Sequence, residues 1–259
     1  MRVRLVREPG TSPAELRGVS HRYGSDRQAL TDVSVQLQPG VTALVGVNGA
    51  GKSTLLSILA GSLRPTAGSV LIGGTDLNGR RRREVIGRVA LMPQALTVPP
   101  NLTAWEAVAV IGWMRGLASR EAARRADRAL EAVDLANRRG SAIKELSGGM
   151  KRRVALAQAI VAEPDVLLLD EPSTGLDPQQ RRRMVDIVKA LHGTVVFSSH
   201  VMEDVVDTAS RVLVLHEGGV RFDGDVDELS ARAPAGAPPE RRPEAAFLAL
   251  IGDAEARAR

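Results

Sequence analysis

The chain of 259 residues contains no cysteine, which excludes disulfide bridges and thiolate metal sites. It also lacks any apolar run approaching the ~18 residues of a membrane-spanning helix. The nearest candidate, AVAVIGWM at 107–114, is too short. The basic N-terminus, MRVRLVREPG, has no apolar stretch of the secretory kind, so the protein is expected to stay in the cytoplasm and any membrane role requires another subunit. Aromatic residues are scarce, and Tyr23 is the one tyrosine. No internal repeat is found.

What is present is an ordinary folded composition, 44% hydrophobic and 25% charged. The net charge of +5 favours acidic partners: a nucleotide, a nucleic acid or an anionic membrane face. Short β-branched runs (VTALVG, RVALM, DVLLLD, TVVFSS, RVLVLH) each precede turn residues and then a helical pattern. Near-continuous apolar strands alternating with helices predict a mostly parallel sheet covered on both faces. The early stretches AELRGVSHRYG and ALTDVSVQLQPG alternate instead, which predicts antiparallel strands beside that sheet. Strand signals vanish between Pro99 and Glu145, where two helices are predicted. The expected organisation is one nucleotide-binding domain over 1–232, with a helical subdomain inserted at roughly 95–160. A Pro/Ala/Arg-rich linker and short terminal helix follow over 233–259. The arginine run at 80–83 is expected to be a solvated loop.

GVNGAGKST, residues 46–54, fits the P-loop pattern between a predicted strand and a predicted helix. Its glycines let backbone N–H groups surround phosphates, Lys52 reaches the terminal phosphate oxygens, and the Ser53 hydroxyl can ligand Mg²⁺, with Thr54 beside it. The fold class expected is therefore α/β, a P-loop NTPase core with antiparallel β and inserted helical subdomains. Ligands in such sheets bind beyond the carboxyl ends of the strands. Four predicted strands end there in suggestive residues: the P-loop itself, Gln94, Asp170–Glu171 and His200. Asp170 suits the metal's hydration shell, and Glu171 suits the attacking water, because successive strand residues face opposite ways. His200 is placed to contact a phosphate or orient Glu171, and Gln94 to join the metal or water network. Tyr23 lies in a turn where a base could stack, a contact worth about 1–3 kcal/mol. His21, His192 and His216 carry no such expectation.

KELSGGMKRR at 144–153 poses a different problem. Ser147 can cap a helix whose apolar positions Met150, Val154, Ala157 and Val161 recur at helical spacing. Gly148 and Gly149 would then expose backbone N–H groups. Lys151, Arg152 and Arg153 fall at the positive end of that helix, each at a cost of roughly a few tenths of a kcal/mol unless an anion is bound there.

Taken in order, Tyr23, GVNGAGKST, Gln94, LSGGM, VLLLDE, STGLD and His200 resemble the A-loop, Walker A, Q-loop, signature, Walker B, D-loop and H-loop of ATP-binding-cassette (ABC) ATPases, over about Leu16 to Gly224. The resemblance implies ATP and Mg²⁺ as ligands. Gly46, Asn48, Gly49, Ala50, Gly51, Lys52, Ser53, Thr54 and Tyr23 would hold the nucleotide, and Ser53, Gln94 and Asp170 the metal. Glu171, His200, Gln94 and Lys52 would carry catalysis. It further implies a head-to-tail homodimer, or a pair with a related cassette, in which Ser147, Gly148, Gly149 and Asp177 reach the partner's ATP. The signature departs from the family's usual ending, with Met150 in place of glutamine. A separate transmembrane permease is implied, with the chain at the cytoplasmic face of the membrane and no nucleic acid as partner. The ending PEAAFLALIGD resembles the tail of bacterial drug-exporter ATPases. An importer ATPase and a soluble ABC ATPase acting on nucleic acid or the ribosome are the alternatives.

Overall fold

The computed structural model describes residues 14–25, 27–92 and 98–257. The chain begins with an antiparallel hairpin, β1 (Ala14–Tyr23) and β2 (Arg27–Leu37), followed by β3 (Gly40–Val45) and helix α1 (Lys52–Leu59). Strands β4 (Ala67–Ile72) and β5 (Thr75–Asp76) lead into the short α2 (Arg82–Ile86) and β6 (Val89–Met92). Three helices come next: α3 (Ala104–Met114), α4 (Ser119–Ala132) and α5 (Gly148–Ile160). The second half alternates β7 (Val166–Leu169), α6 (Pro178–Lys189), β8 (Thr194–Ser199), α7 (Met202–Thr208) and β9 (Arg211–His216). It closes with β10 (Gly219–Gly224), α8 (Val226–Ser230) and α9 (Arg242–Arg257).

Two sheets form, in the orders β2-β1-β4-β5 and β10-β9-β3-β8-β7-β6. The first is antiparallel; the second is parallel except for its β9–β10 hairpin. That hairpin turns on Glu217 and Gly218, both at positive φ, the backbone a tight two-residue turn demands.

The continuous apolar strands have a direct cause in the layering. On β7, Val166 and Leu168 join the core shared with the antiparallel sheet and α1, whereas Leu167 and Leu169 join the core under α3–α7. Strands β3, β8 and β9 split in the same alternating way, so both faces of the central strands are covered. Helix α4 buries Ala122, Ala126, Ala129 and Leu130 along one stripe and leaves Arg120 and Arg124 outward. Helix α9 returns to the main body: Ala246 is buried, and Phe247 and Leu250 pack on the same core. The run at 80–83 differs from the expected loop. Helix α2 begins at Arg82, whose guanidinium donates to the Gly61 carbonyl at 2.5 Å, so Arg82 is anchored and not fully solvated.

Candidate functional site

The parallel strands β3, β7 and β8 end side by side, since Val45 pairs with Ser199, and Leu169 with Phe197. The chemistry-bearing residues therefore emerge at one sheet edge. After β3 the chain wraps through the glycine loop. Gly46 lies so close to β9 that a Cβ there would fall 2.4 Å from the Leu215 carbonyl oxygen. Gly51, at φ 104°, turns the backbone into α1, and a Cβ there would meet the Ala29 carbonyl at 2.5 Å. Ala50 is buried and its N–H bonds the Val47 carbonyl.

Lys52 is 7% exposed, and its Nζ donates to the Gly46 and Val47 carbonyls at 2.6 and 3.1 Å. Burial pushes its pKa down, while the facing charges of Glu171 and Asp170 oppose that shift. Asp170 Oδ1 accepts from Ser198 Oγ at 2.7 Å and from Ser53 Oγ at 3.4 Å. The Glu171 N–H donates to Ser198 Oγ at 2.8 Å, so one buried hydroxyl fixes both acids. Ser198 was not among the expected site residues. Its signal was a polar residue inside an apolar strand, interpretable only once the β7–β8 register placed it beside Asp170. Glu171 Oε1 lies 3.3 Å from His200 Nδ1, and Glu171 Oε2 accepts from Thr174 Oγ1 at 2.9 Å.

The two acids are not turned apart as strand alternation predicts. Both lie beyond the end of β7, so strand alternation does not act on them. Glu171 instead adopts a left-handed backbone, φ 47°, and both carboxylates face one cleft. That cleft, about 590 Å³, is lined by Asn48, Gly49, Gly51, Lys52, Ser53, Thr54, Asp170, Glu171 and His200, with Arg27 and Ala29 at its side. Tyr23 stands beside it, its hydroxyl 3.4 Å from Thr54 Oγ1 and its ring edge-on to His21. Gln94 lies outside the described residues.

The signature residues are not among those lining this cleft. Ser147 caps α5, as expected, accepting the Met150 N–H at 3.2 Å. Gly148 is open, whereas Gly149 is covered by the Gln180 side chain of α6. Asp177 caps α6 through the Gln180 N–H at 2.9 Å. Two of the three cations correct the simple expectation of an anion site. Arg152 turns inward and donates to the carbonyls of Asp170, Glu171 and Pro172. Arg153 donates to those of Val133 and Asp134 at 2.9 and 2.7 Å. Burial lowers the pKa of both guanidiniums. Their positive charge is thus held by backbone dipoles within the fold, and the α5 terminus offers an anion Ser147, Gly148 and the helix dipole.

The chain is similar to known ATP-binding cassettes. The family model described as ABC transporter matches residues 30–174. The daunorubicin resistance ATP-binding protein DrrA3 of Streptomyces coeruleorubidus is 38% identical, covering 83% of this chain and 68% of its own. The energy-coupling factor transporter ATP-binding protein EcfA2 of Symbiobacterium thermophilum is 42% identical over 85% of this chain and 81% of its own. An ATP-binding cassette solved as a dimer in a post-hydrolysis state, bound to ADP and Pi, superposes with a TM-score of 0.73 at 25% identity, covering 82% of this chain and 98% of that one.

Proposed function

The chain belongs to the ABC transporter family and is an ATP-binding, ATP-hydrolysing subunit, and on that premise we propose that it works in a pair of cassettes driving export through a separate membrane permease. The observation that carries the paired reading is the division of the site. The phosphate loop, both acids and His200 share one cleft, whereas Ser147, Gly148 and Asp177 are exposed and not part of it. A second copy, or a related cassette, placed head to tail would bring its Ser147 and Gly148 to the ATP held on Lys52.

Within the cleft, the P-loop amides and Lys52 bind the phosphates, and Tyr23 supports the base. Ser53 and Asp170 would hold Mg²⁺: their oxygens lie 3.4 Å apart, and a pair of hard donors suits an ion that keeps water and phosphate as its other ligands. Bound Mg²⁺ supplies positive charge to the phosphate oxygens. Glu171 takes hydrogen-bond donation from the attacking water and polarises it, and the His200 imidazole beside Glu171 Oε1 orients that carboxylate and faces the terminal phosphate. Ser198 and Thr174 keep Glu171 from swinging away.

The permease reading is supported by α3. Val110, Trp113 and Met114 form an exposed apolar stripe at i, i+3, i+4 spacing, with Trp113 61% exposed, while Ala104, Ala107 and Val108 face the core. No helix among the described residues is long and apolar enough to cross a membrane, so this stripe is the proposed docking face at the cytoplasmic surface. The export direction rests on the likeness to a Nod factor export ATP-binding protein of Burkholderia thailandensis, 39% identical over 80% of this chain and 69% of its own.

Glu171→Gln tests the chemistry. Hydrolysis should fall by at least about 100-fold while ATP-dependent dimers accumulate on size exclusion; unchanged turnover would overturn the role given to Glu171. Affinity purification from detergent-solubilised membranes should recover a polytopic membrane protein, and recovery of the chain alone would count against the permease.

A further inference from the structure

Asp204, on the first turn of α7, is a buried acid that the chemistry above does not use. It is 4% exposed. Its Oδ2 accepts from Ser173 Oγ at 2.6 Å and its Oδ1 from Arg181 Nε at 2.7 Å. These contacts join separate segments. Ser173 opens the STGLD loop that follows Glu171 and ends at Asp177, Arg181 lies in the first turns of α6, and Asp204 itself follows His200 closely. The neighbouring Glu203 is 81% exposed and reaches Arg181 only at 3.7 Å. Removing a carboxylate from water is costly, and a buried ion pair is weak evidence for stability. What the pair does provide is direction: two short, charge-assisted bonds fix where the loop leaves the core.

We propose that Asp204 is a positioning residue that holds the Ser173–Asp177 loop in the place from which it completes the site of a second copy. This rests on the paired reading above. The proposed defect is therefore felt in trans, in the partner's hydrolysis, more than in the site of the chain that carries the change.

The test places wild-type chain at low concentration in a large excess of Glu171→Gln chain, so that each competent site borrows its loop from an inactive partner. Turnover is then read per competent chain. Adding Asp204→Asn to the excess chain should lower kcat at least tenfold with KM within twofold, and Asp204→Glu should restore at least half of the rate. Asp204→Asn on the competent chain should cost less than threefold. Where Asp204→Asn fails to fold, as read by Tm, Ser173→Ala on the excess chain removes one of the two bonds and should give the same trans loss at smaller amplitude. An undiminished kcat with either excess variant, or a larger loss in the competent-chain arm, overturns the proposal. Ser147→Arg on the excess chain separates the two ideas. If that change leaves turnover intact, the shared site itself is wrong and the loop proposal falls with it. If it stops turnover while the Asp204 and Ser173 changes do nothing, the shared site stands and only the loop proposal fails.

Discussion

Two glycine turns open helices in this protein, and they have opposite fates. At Gly46–Ser53 the turn folds around its own lysine, whose ammonium stays with the loop carbonyls and faces Asp170 and Glu171 across a cleft. At Ser147–Arg153 two of the three cations leave the turn. Arg152 reaches across to hold the backbone behind those same two acids, and Arg153 holds the end of α4. The first turn shares one cleft with both acids and His200 within a single chain. The second is a helix end braced from behind and open in front. The lesson is that a cation near a helix start indicates an anion site only when no carbonyl within reach can satisfy it, because a buried guanidinium gains more from several directed acceptors than from a solvated ion.

The comparison can be broken most severely at its brace. Arg152→Leu leaves three carbonyls behind the acids without that donor and should cost about 3 kcal/mol, a fall in Tm of roughly 6–12 °C for a chain of this size. Hydrolysis should drop with it, and a variant with unchanged Tm and turnover would show that the brace is idle. Gly51→Ala should cost about 2 kcal/mol, because it combines a left-handed backbone with a Cβ driven into the Ala29 carbonyl. Thermal denaturation without nucleotide measures this directly. Ser147→Ala removes the cap of α5 and should cost about 1 kcal/mol, read from the urea midpoint at constant m-value. The smallest effect on stability is expected for Gly148→Ala, within about 0.5 kcal/mol, since space there is open. That variant sharpens the contrast: its Tm should match the wild type while ATP-driven dimerisation weakens, whereas Gly51→Ala should lose both.

Much of the site could be read from spacing. Lys52, Ser53, Asp170, Glu171 and His200 each follow an apolar strand, and parallel strands must release their carboxyl ends along one edge. Ser147 was readable as a cap because the apolar period of α5 begins just after it. Other features escaped. Ser198 acts through neighbours 27 and 28 positions away and Arg152 through neighbours 18 to 20 away, and no local pattern announces such partners. The course of the chain at Glu171 is set by a left-handed backbone beyond the strand end, where the two-residue period no longer applies.

The amino-acid order by itself determined the layered α/β architecture, the phosphate loop and the family, since each depends on periodicity or on side chains close together along the chain. Which cations face a ligand, which hydroxyl fixes the two acids, and that the signature lies outside the cleft were decided by tertiary structure alone. Those depend on what each polar group meets when water is removed around it, and that is set by strands and helices brought together from distant parts of the chain.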